Sequence, residues 1–318
     1  MPISLQYHVA DVFTSTVFAG NQLAIIHLPN SSTLSEVQKQ QIAIEFNYSE
    51  SIFIRKADVL DLESEGSDAP VAYEVDIFTP QSEIPFAGHP IIGVACHVFE
   101  KLLTDKTTAT LIAKAGLITI SYDHSKGVAQ ASVPHNYHLH RNSSSLAQVE
   151  SRLRTVQSGL NQQLKVHRMA LVSIVKGMTF LLVELESVEV LSTIRVTSAD
   201  PVSPEDLDDC WTPTLIGSLF YVMPKRGNDG VLRARQRMIA LRLEDPATGS
   251  ASSALACYLS LQIGGEGQRY KFELEQGVEM GRRSVIGVEV ELDGEGKQVK
   301  EVVLKGQAKH VMKGELVV

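Results

Sequence analysis

Four polar residues in three short segments of this chain could take part in chemistry. Glu50 lies in NYSESIFI, His89 in PFAGHP, and Asp245 and Ser250 in EDPATGS. An isolated carboxylate can accept and return a proton near neutral pH when burial raises its pKa. The pattern therefore points to acid/base chemistry, provided that the fold shelters Glu50 from water.

Each of these residues also has an ordinary structural interpretation. Glu50 begins a strand-like run, where an exposed glutamate at a strand edge is the commoner case. His89 and Asp245 precede apolar helix patterns, where such residues usually cap the helix or pack as polar groups. Capping is also the commoner role for a lone serine such as Ser250. The matching positions of His89 and Asp245 at two helix starts favour function without deciding it.

Two apolar helix patterns follow these segments. After Pro90, apolar residues continue at helical spacing through IIGVACHVFEKLL, and proline suits the first turn of a helix because no amide hydrogen is needed there. The stretch 246–265 contains no charged residue and ends in two glycines, which indicates a helix buried on every face. Because free amide groups at helix starts attract anions, a site where both helices begin could hold a substrate carboxylate.

Each half of the chain combines one of these helices with several strand-like runs. SIFIRKA and YEVDIFT in the first half, and MTFLLVEL and SLFYVMP in the second, are rich in β-branched and aromatic residues. Strands and helices do not alternate regularly, which disfavours a Rossmann-type parallel sheet. We therefore predict an α+β protein of two pseudo-repeated domains, 1–134 and 135–318, with the last strand able to pack on the first domain.

Three polar segments complete this organisation. Ser32 and Thr33 are candidate N-caps of a helix that stops before Asn47. The acidic segment 59–70 is typical of an exposed hairpin loop. The polar stretch 135–165, with its run of serines, is typical of a connection followed by a short amphipathic helix.

Composition and charge exclude several classes of function. The chain has 318 residues, of which 44% are hydrophobic and 21% charged, and its formal net charge is −8. This is the composition of a globular protein, and without a dense Lys/Arg run nucleic acid is not an expected partner. No signal peptide or membrane-spanning stretch is recognisable, so we expect a cytoplasmic protein without a membrane partner.

The sequence indicates neither a metal nor an organic cofactor. His135, His138 and His140 lie in the polar connection without a carboxylate or thiolate companion, which favours a surface loop over a metal site. Three cysteines are too few and too far apart for a disulfide framework, and we interpret them as structural. Phosphate-binding and dinucleotide-binding glycine motifs are absent from the sequence. Ser250 lacks the G-x-S-x-G elbow, which leaves a hydrolase as a remote alternative.

The chain resembles the PhzF family, named for an isomerase of phenazine biosynthesis, in NYSESIFI, IFTPQSEIPFAGHP, EDPATGSA, VFTSTVFAGN and QGVEMGRRS. These segments occur in the family's order from about residue 11 to residue 284, so the resemblance covers nearly the whole chain. It implies the diaminopimelate epimerase fold, in which each domain is a curved β-barrel around a central helix and the active site lies between the domains. Relatives commonly form homodimers, and we expect one on that ground alone.

The resemblance also implies residue roles. Glu50, in the Ser-Glu motif, corresponds to the catalytic acid/base, and His89, Asp245 and Ser250 to its supporting polar residues. Four more positions are implied in substrate binding: Asn21, Gly88, Thr248 and Gly249.

The implied reaction follows from how the chain differs from its more distant relatives. Epimerases and racemases of this fold use two cysteines, where this chain has AGHP and ATGS, so a two-thiol mechanism is excluded. Glu50 would instead move a proton between two carbons on the same face of a small unsaturated carboxylated metabolite, without a cofactor. The alternative is a non-catalytic member that binds a small molecule or a protein. Segments 59–70 and 135–165 look like insertions, and the motifs leave the substrate open.

Overall fold

The computed structural model describes residues 3–29, 34–57, 71–141, 143–158, 164–197, 199–211, 215–240 and 242–318. The chain forms two compact units. Unit 1 comprises Met1–Val133 and Leu304–Val318, and unit 2 comprises Pro134–Val303. The second domain was predicted to span 135–318, whereas the second unit of the structure ends at Val303. The acidic segment 59–70 lies outside the described residues.

Unit 1 is built on a mixed β-sheet with two helices. Its first strands are β1 (Ser4–Val12), β2 (Asn21–His27), β3 (Glu50–Lys56), β4 (Ala72–Phe78), β5 (Glu83–Ile84), β6 (Thr108–Ala113), β7 (Gly116–Asp123) and β8 (Val128–Ser132). Its helices are α1 (Glu36–Phe46) and α2 (Gly88–His97), and a π-helical turn, Val98–Leu102, continues α2. All ten residues of α2 are buried, as its apolar sequence predicts.

The strand pairing of unit 1 alternates in orientation. β1 pairs antiparallel with β2, β2 parallel with β3, and β3 antiparallel with β4. β4 then pairs parallel with β6, and β6 antiparallel with β7. The two-residue strand β5 folds back on β4 immediately before α2 begins.

Unit 2 is also built on mixed strand pairing. Its strands are β9 (His138–Leu139), β10 (Val166–Val175), β11 (Met178–Leu185), β12 (Leu215–Val222), β13 (Lys225–Arg226), β14 (Leu232–Ala240), β15 (Leu243–Asp245), β16 (Arg269–Gln276) and β17 (Ser284–Leu292), and β18 (Val299–Gly306) leads out of the unit. Its helices are α3 (Ser143–Val156), α4 (Val188–Thr193), the 3-10 turn Pro204–Asp206 and α5 (Gly249–Ile263). The first twelve residues of α5 are buried, in agreement with its uncharged sequence.

The internal pairing of unit 2 repeats that of unit 1. β10 pairs antiparallel with β11, β11 parallel with β12, and β12 antiparallel with β14. β14 pairs parallel with β16, and β16 antiparallel with β17. The short strand β15 folds back on β14 just before α5, as β5 does before α2. The same succession of strand orientations around one buried helix is the pseudo-repeat that the sequence predicts.

The chain ends within unit 1. The last strand, β19 (Ala308–Val317), pairs antiparallel with β1 from Val12 opposite Ala308 to Ser4 opposite Val317. This pairing explains why the C-terminal residues belong to the first unit.

Helix α1 begins at a different cap from the predicted one. Ser35 accepts a hydrogen bond from the Gln38 amide, and the Gln38 side chain reaches back to Ser35, which forms a capping box. The predicted caps Ser32 and Thr33 lie outside the described residues. Asn47 ends the helix in a left-handed conformation. Within the described ranges, no helix has the length and apolarity needed to cross a membrane.

Candidate active site

Glu50 is the first residue of β3, opposite Leu23 of the parallel strand β2. Its side chain is 18% exposed. Burial raises the pKa of the Glu50 carboxyl to about 7, although a hydrogen bond from Ser49 opposes the shift. Interpreting Glu50 as an exposed residue at a strand edge is therefore wrong, and the carboxyl has the proton affinity that acid/base catalysis at neutral pH requires.

His89 is the nearest charged or chargeable partner described for Glu50. It is the second residue of α2, its side chain is 4% exposed, and its Nδ1 lies 3.3 Å from Oε2 of Glu50. Oε2 is buried and accepts no hydrogen bond from any described residue. A buried carboxylate oxygen usually has a hydrogen-bond donor, and His89 does not supply one to Oε2 despite the short distance.

Asn21 lies at the same end of the sheet as Glu50. It is buried at the start of β2, and its Oδ1 accepts a hydrogen bond from Ser49 Oγ at 3.3 Å. Gly20, before it, has a φ of 69°, and a Cβ there would lie 2.3 Å from the carbonyl oxygen of Val12. Phe-Ala-Gly occurs twice in the chain, at residues 18–20 and 86–88. The first run makes a tight turn that only glycine can complete, whereas the second leads into α2 at Gly88.

In unit 2, the predicted residues cluster at the start of α5. Asp245 ends β15, and its Oδ2 accepts a hydrogen bond from Thr248 Oγ1 at 2.5 Å. Thr248 is the N-cap residue, and Gly249 and Ser250 are the first two residues of the helix. Ser250 is buried and lies beyond the N-cap position, so the capping role considered for it is wrong.

Two buried glutamines that the sequence analysis did not single out organise this helix start. Gln276 Nε2 donates to the Asp245 carbonyl at 2.7 Å and to Thr248 Oγ1 at 3.0 Å. Gln236 Nε2 donates to Gln276 Oε1 at 2.8 Å and to Ser252 Oγ at 2.7 Å. The only sequence signal was that Gln276 opens QGVEMGRRS, a segment quoted for its family resemblance. These amides fix the backbone of the turn that carries Asp245.

The two repeats differ at the position of Glu50. In unit 1, the parallel pair β2 and β3 places Glu50 opposite Leu23. In unit 2, the corresponding pair β11 and β12 begins with Leu215 opposite Met178. A carboxylate therefore stands at the start of this strand in the first repeat only, while the second helix residue is His89 in one repeat and Ser250 in the other.

The prediction of a surface loop for HNYHLH is wrong. His138 lies in β9, which pairs with β10, and His140, just beyond it, is buried. Asp208, distant in sequence, supplies the carboxylate that the sequence did not reveal: its Oδ2 lies 2.8 Å from His138 Nε2. His140 accepts a hydrogen bond from the Asp208 amide at 3.1 Å and its Nε2 lies 2.9 Å from Ser173 Oγ. Both nitrogens of His140 thus have protein partners, as in a packed polar network.

The two cysteines of the central helices are unsuited to proton transfer. Cys96 in α2 and Cys257 in α5 are both buried. Burial raises the pKa of Cys96 to about 12 and that of Cys257 still further. Neither thiol forms a thiolate readily at neutral pH, which agrees with the structural role predicted for them.

Comparison with known proteins places these features in context. A profile of the phenazine biosynthesis-like protein family, PhzC-PhzF, matches residues 10–314. Over 308 residues, 95% of each chain, the sequence is 29% identical to trans-2,3-dihydro-3-hydroxyanthranilate isomerase of Pseudomonas aeruginosa.

Solved structures show the same fold. A PhzF-family protein of Bacillus anthracis has a TM-score of 0.75 and 18% identity, over 99% of this chain and 100% of that one. A hydroxyproline epimerase of Agrobacterium vitis has a TM-score of 0.57 and 12% identity, over 99% of this chain and 93% of that one. The chain therefore shares the fold of these proteins, with mixed strand pairing, while closure of each sheet into a barrel stays a prediction.

Proposed function

Because the chain belongs to the PhzC-PhzF family of phenazine biosynthesis-like proteins, we propose that it is an isomerase with Glu50 as its single acid/base. The reaction moves a proton between two carbons of a small unsaturated carboxylated metabolite and needs no cofactor. The observation that carries the proposal is the sheltered Glu50 carboxyl, whose pKa is raised to about 7 and whose Oε2 lies 3.3 Å from His89.

The proposed reaction has two proton transfers. Ionised Glu50 removes a proton from a carbon next to an unsaturated or carbonyl group, and the electron pair of the broken C–H bond delocalises into that group. Protonated Glu50, whose proton can exchange with solvent before the second transfer, then protonates the far carbon of the delocalised system on the same face. The double bond shifts, and no net oxidation or reduction occurs. A pKa near 7 suits both steps, because the carboxyl must accept and then release the proton.

The surrounding groups support this cycle in different ways. Across the 3.3 Å between His89 Nδ1 and Glu50 Oε2, a protonated His89 would stabilise the ionised form of Glu50 electrostatically. The start of α2 supplies amide groups for the charge that develops on the substrate. For Asp245 and Ser250 we propose substrate orientation, and contact with the substrate is proposed for the remaining predicted positions: Asn21, Gly88, Thr248 and Gly249.

The substrate class rests on chemistry and on the printed name of one relative. That Pseudomonas enzyme is named for a dihydro-hydroxyanthranilate, which is a small ring carboxylate with unsaturated carbons. We propose the same chemical class for this chain and no particular member of it.

Hydrogen exchange into substrate carbon tests the proposal. Small unsaturated carboxylates incubated with the protein in deuterated water should gain carbon-bound deuterium, detected by NMR or mass spectrometry. Glu50→Gln should slow this gain by about 10²- to 10⁴-fold. Glu74→Gln is the matched control, because Glu74 lies in the neighbouring strand β4 and forms a surface ion pair with Arg55.

Two outcomes would contradict the proposal. Exchange that persists in Glu50→Gln would remove Glu50 from the role of acid/base. Binding of a carboxylate that is unchanged in Glu50→Gln, without exchange in either protein, would support the non-catalytic alternative.

A further inference from the structure

Four histidines of unit 1 meet around the last residue of α2, and the proposed reaction uses none of them. His8 lies in β1, His27 ends β2, His97 ends α2 and His310 lies in β19. The ring centroid of His97 lies 4.7 Å from that of His8, 4.8 Å from that of His27 and 5.1 Å from that of His310. At 1.5 Å per residue, His97 is about 12 Å along α2 from His89, so the cluster is separate from Glu50.

Three of these rings contain a buried nitrogen that makes no hydrogen bond within the described part of the chain. These atoms are Nδ1 of His8, Nε2 of His27 and Nε2 of His97. A ring nitrogen from each of the three residues lies within 4.8 Å of one from each of the others. Buried ring nitrogens normally find a partner, and three without one on three rings in mutual contact require an explanation.

We propose that His8, His27 and His97 bind one divalent transition-metal ion of the zinc type. Imidazole nitrogen is a preferred ligand of Zn²⁺, which three histidines and a water molecule can surround tetrahedrally. Zinc–nitrogen bonds of about 2.0–2.1 Å place the ligand nitrogens roughly 3.3 Å apart. Starting from separations of up to 4.8 Å, the rings need to approach one another by only about 1 to 2 Å.

The outer contacts of His97 are those expected of a metal ligand. Its second ring nitrogen, Nδ1, lies 2.9 Å from His310 Nε2, and His310 Nδ1 lies 3.5 Å from Glu100 Oε2. Glu100 Oε1 in turn accepts a hydrogen bond from Tyr122 at 2.7 Å. A relay from ligand to carboxylate orients metal-bound imidazoles in proteins, and here it leaves Nε2 of His97 for the ion.

His8 and His27 are only partly buried, which gives an ion and its water ligand access from solvent.

The His138, His140 and Asp208 group is the natural comparison. Its atoms are also close enough to hold an ion. However, His138 Nε2 faces the Asp208 carboxylate, and both nitrogens of His140 have protein partners. An ion would have to displace those contacts, whereas His8 Nδ1, His27 Nε2 and His97 Nε2 have no hydrogen-bond partner among the described residues to be displaced.

Metal titration of the untagged full chain tests the proposal. After treatment with a chelator and dialysis, the protein should bind one equivalent of Zn²⁺ and show a raised melting temperature. Co²⁺ in its place should give the visible absorption bands of a tetrahedral nitrogen-ligated site. His8→Gln and His27→Gln should each weaken Zn²⁺ binding at least about 100-fold, more than loss of an outer contact does.

Controls separate this site from the other histidines and from misfolding. His138→Gln should leave the stoichiometry and affinity for Zn²⁺ unchanged. Circular dichroism of His8→Gln and His27→Gln should match the unsubstituted protein, because both positions are partly exposed. Glu100→Gln, which leaves all three ligands in place, should weaken binding about 10- to 100-fold.

Three results would overturn the proposal. The first is no Zn²⁺ binding by the unsubstituted chain at about 100 µM free metal. The second is equal binding by His8→Gln, His27→Gln and the unsubstituted chain. The third is binding lost only in His138→Gln, which would place the ion in the other cluster.

Discussion

Glu50 combines two properties that rarely occur together in one glutamate. Its carboxyl is sheltered at the start of a strand, yet one of its oxygens has no hydrogen-bond donor among the described residues. Burying a carboxylate without full pairing costs stability, and this cost is what raises its pKa to about 7. The burial that motivates the proposed acid/base role of Glu50 should therefore be measurable as lost stability.

Glu50→Gln should make folding stability less sensitive to pH. The folded carboxyl has a pKa of about 7 instead of 4.5, so its neutral form stabilises the fold fully below pH 4.5, and this contribution is lost as pH rises through 7. Glutamine does not titrate. In urea denaturation, the free energy of unfolding of the variant should therefore rise, relative to that of the unsubstituted protein, by up to about 3 kcal/mol between pH 5 and pH 8.

The control for this measurement is Glu74→Gln, at the surface ion pair with Arg55 of the neighbouring strand. An equal effect of Glu50→Gln at pH 5 and at pH 8 would show that the carboxyl titrates normally in the folded chain.

Motifs singled out candidate residues, whereas the surroundings of these residues were not predictable from the sequence. The sequence singled out Glu50 and His89 but could not show whether Glu50 was sheltered, because burial depends on strands far along the chain. Asp208 was missed as the partner of His138 for the same reason. Buried amides such as Gln276 carry no pattern of their own, so only the structure reveals them.

At the scale of elements, the turn before α5 depends on a close backbone approach. Gly277 follows β16 with a φ of 72°, and a Cβ there would lie 2.6 Å from the Pro246 carbonyl oxygen and 2.5 Å from that of Arg282. The glycine thus lets two backbone segments meet beside Asp245, the residue that Gln276 holds through its carbonyl.

Gly277→Ala should destabilise the protein more than Gly230→Ala. Both glycines have positive φ, 72° and 79°, so alanine is strained at either position. No heavy atom lies within 4 Å of a Cβ at Gly230, so only Gly277→Ala adds steric overlap. This overlap should cost about 1–3 kcal/mol of folding stability. Chemical denaturation of both variants measures this difference. Equal losses of stability in the two variants would mean that the backbone beside Pro246 can shift to admit the alanine Cβ without destabilising the fold.

The elements themselves were largely predictable. Apolar runs without charge identified α2 and α5, because a helix buried on all sides can carry no unpaired charge. The cap of α1 was misplaced by two or three residues, since several serines and threonines precede the helix and only the chain's path selects Ser35. Strand order was beyond the sequence, because pairing such as β4 with β6 joins segments that are not consecutive.

At the scale of the whole molecule, the last strand completes the first unit. β19 pairs along the full length of β1, and backbone hydrogen bonds join Ile3 and Val318 in both directions, at 2.8 and 2.9 Å. Removing residues 308–318 should therefore expose the edge of β1 and weaken unit 1, while unit 2 keeps its own pairing.

Hydrogen exchange followed by mass spectrometry measures this effect. Amides of β1 and β2 should lose protection in the shortened chain, and those of β14 and β16 should keep it. A chain that lacks only Val317 and Val318 is the control and should keep protection in the second half of β1. Unchanged protection of β1 in the chain without residues 308–318 would show that β19 adds nothing to the stability of unit 1.

The pairing of β19 with β1 also sets an order of events on the ribosome. The first 133 residues emerge early, but their sheet receives its final strand only after residues 134–303 have been translated. At ~5–20 residues per second, this delay is on the order of ten to thirty seconds. Until β19 emerges, the edge of β1 in the nascent chain therefore lacks its partner strand.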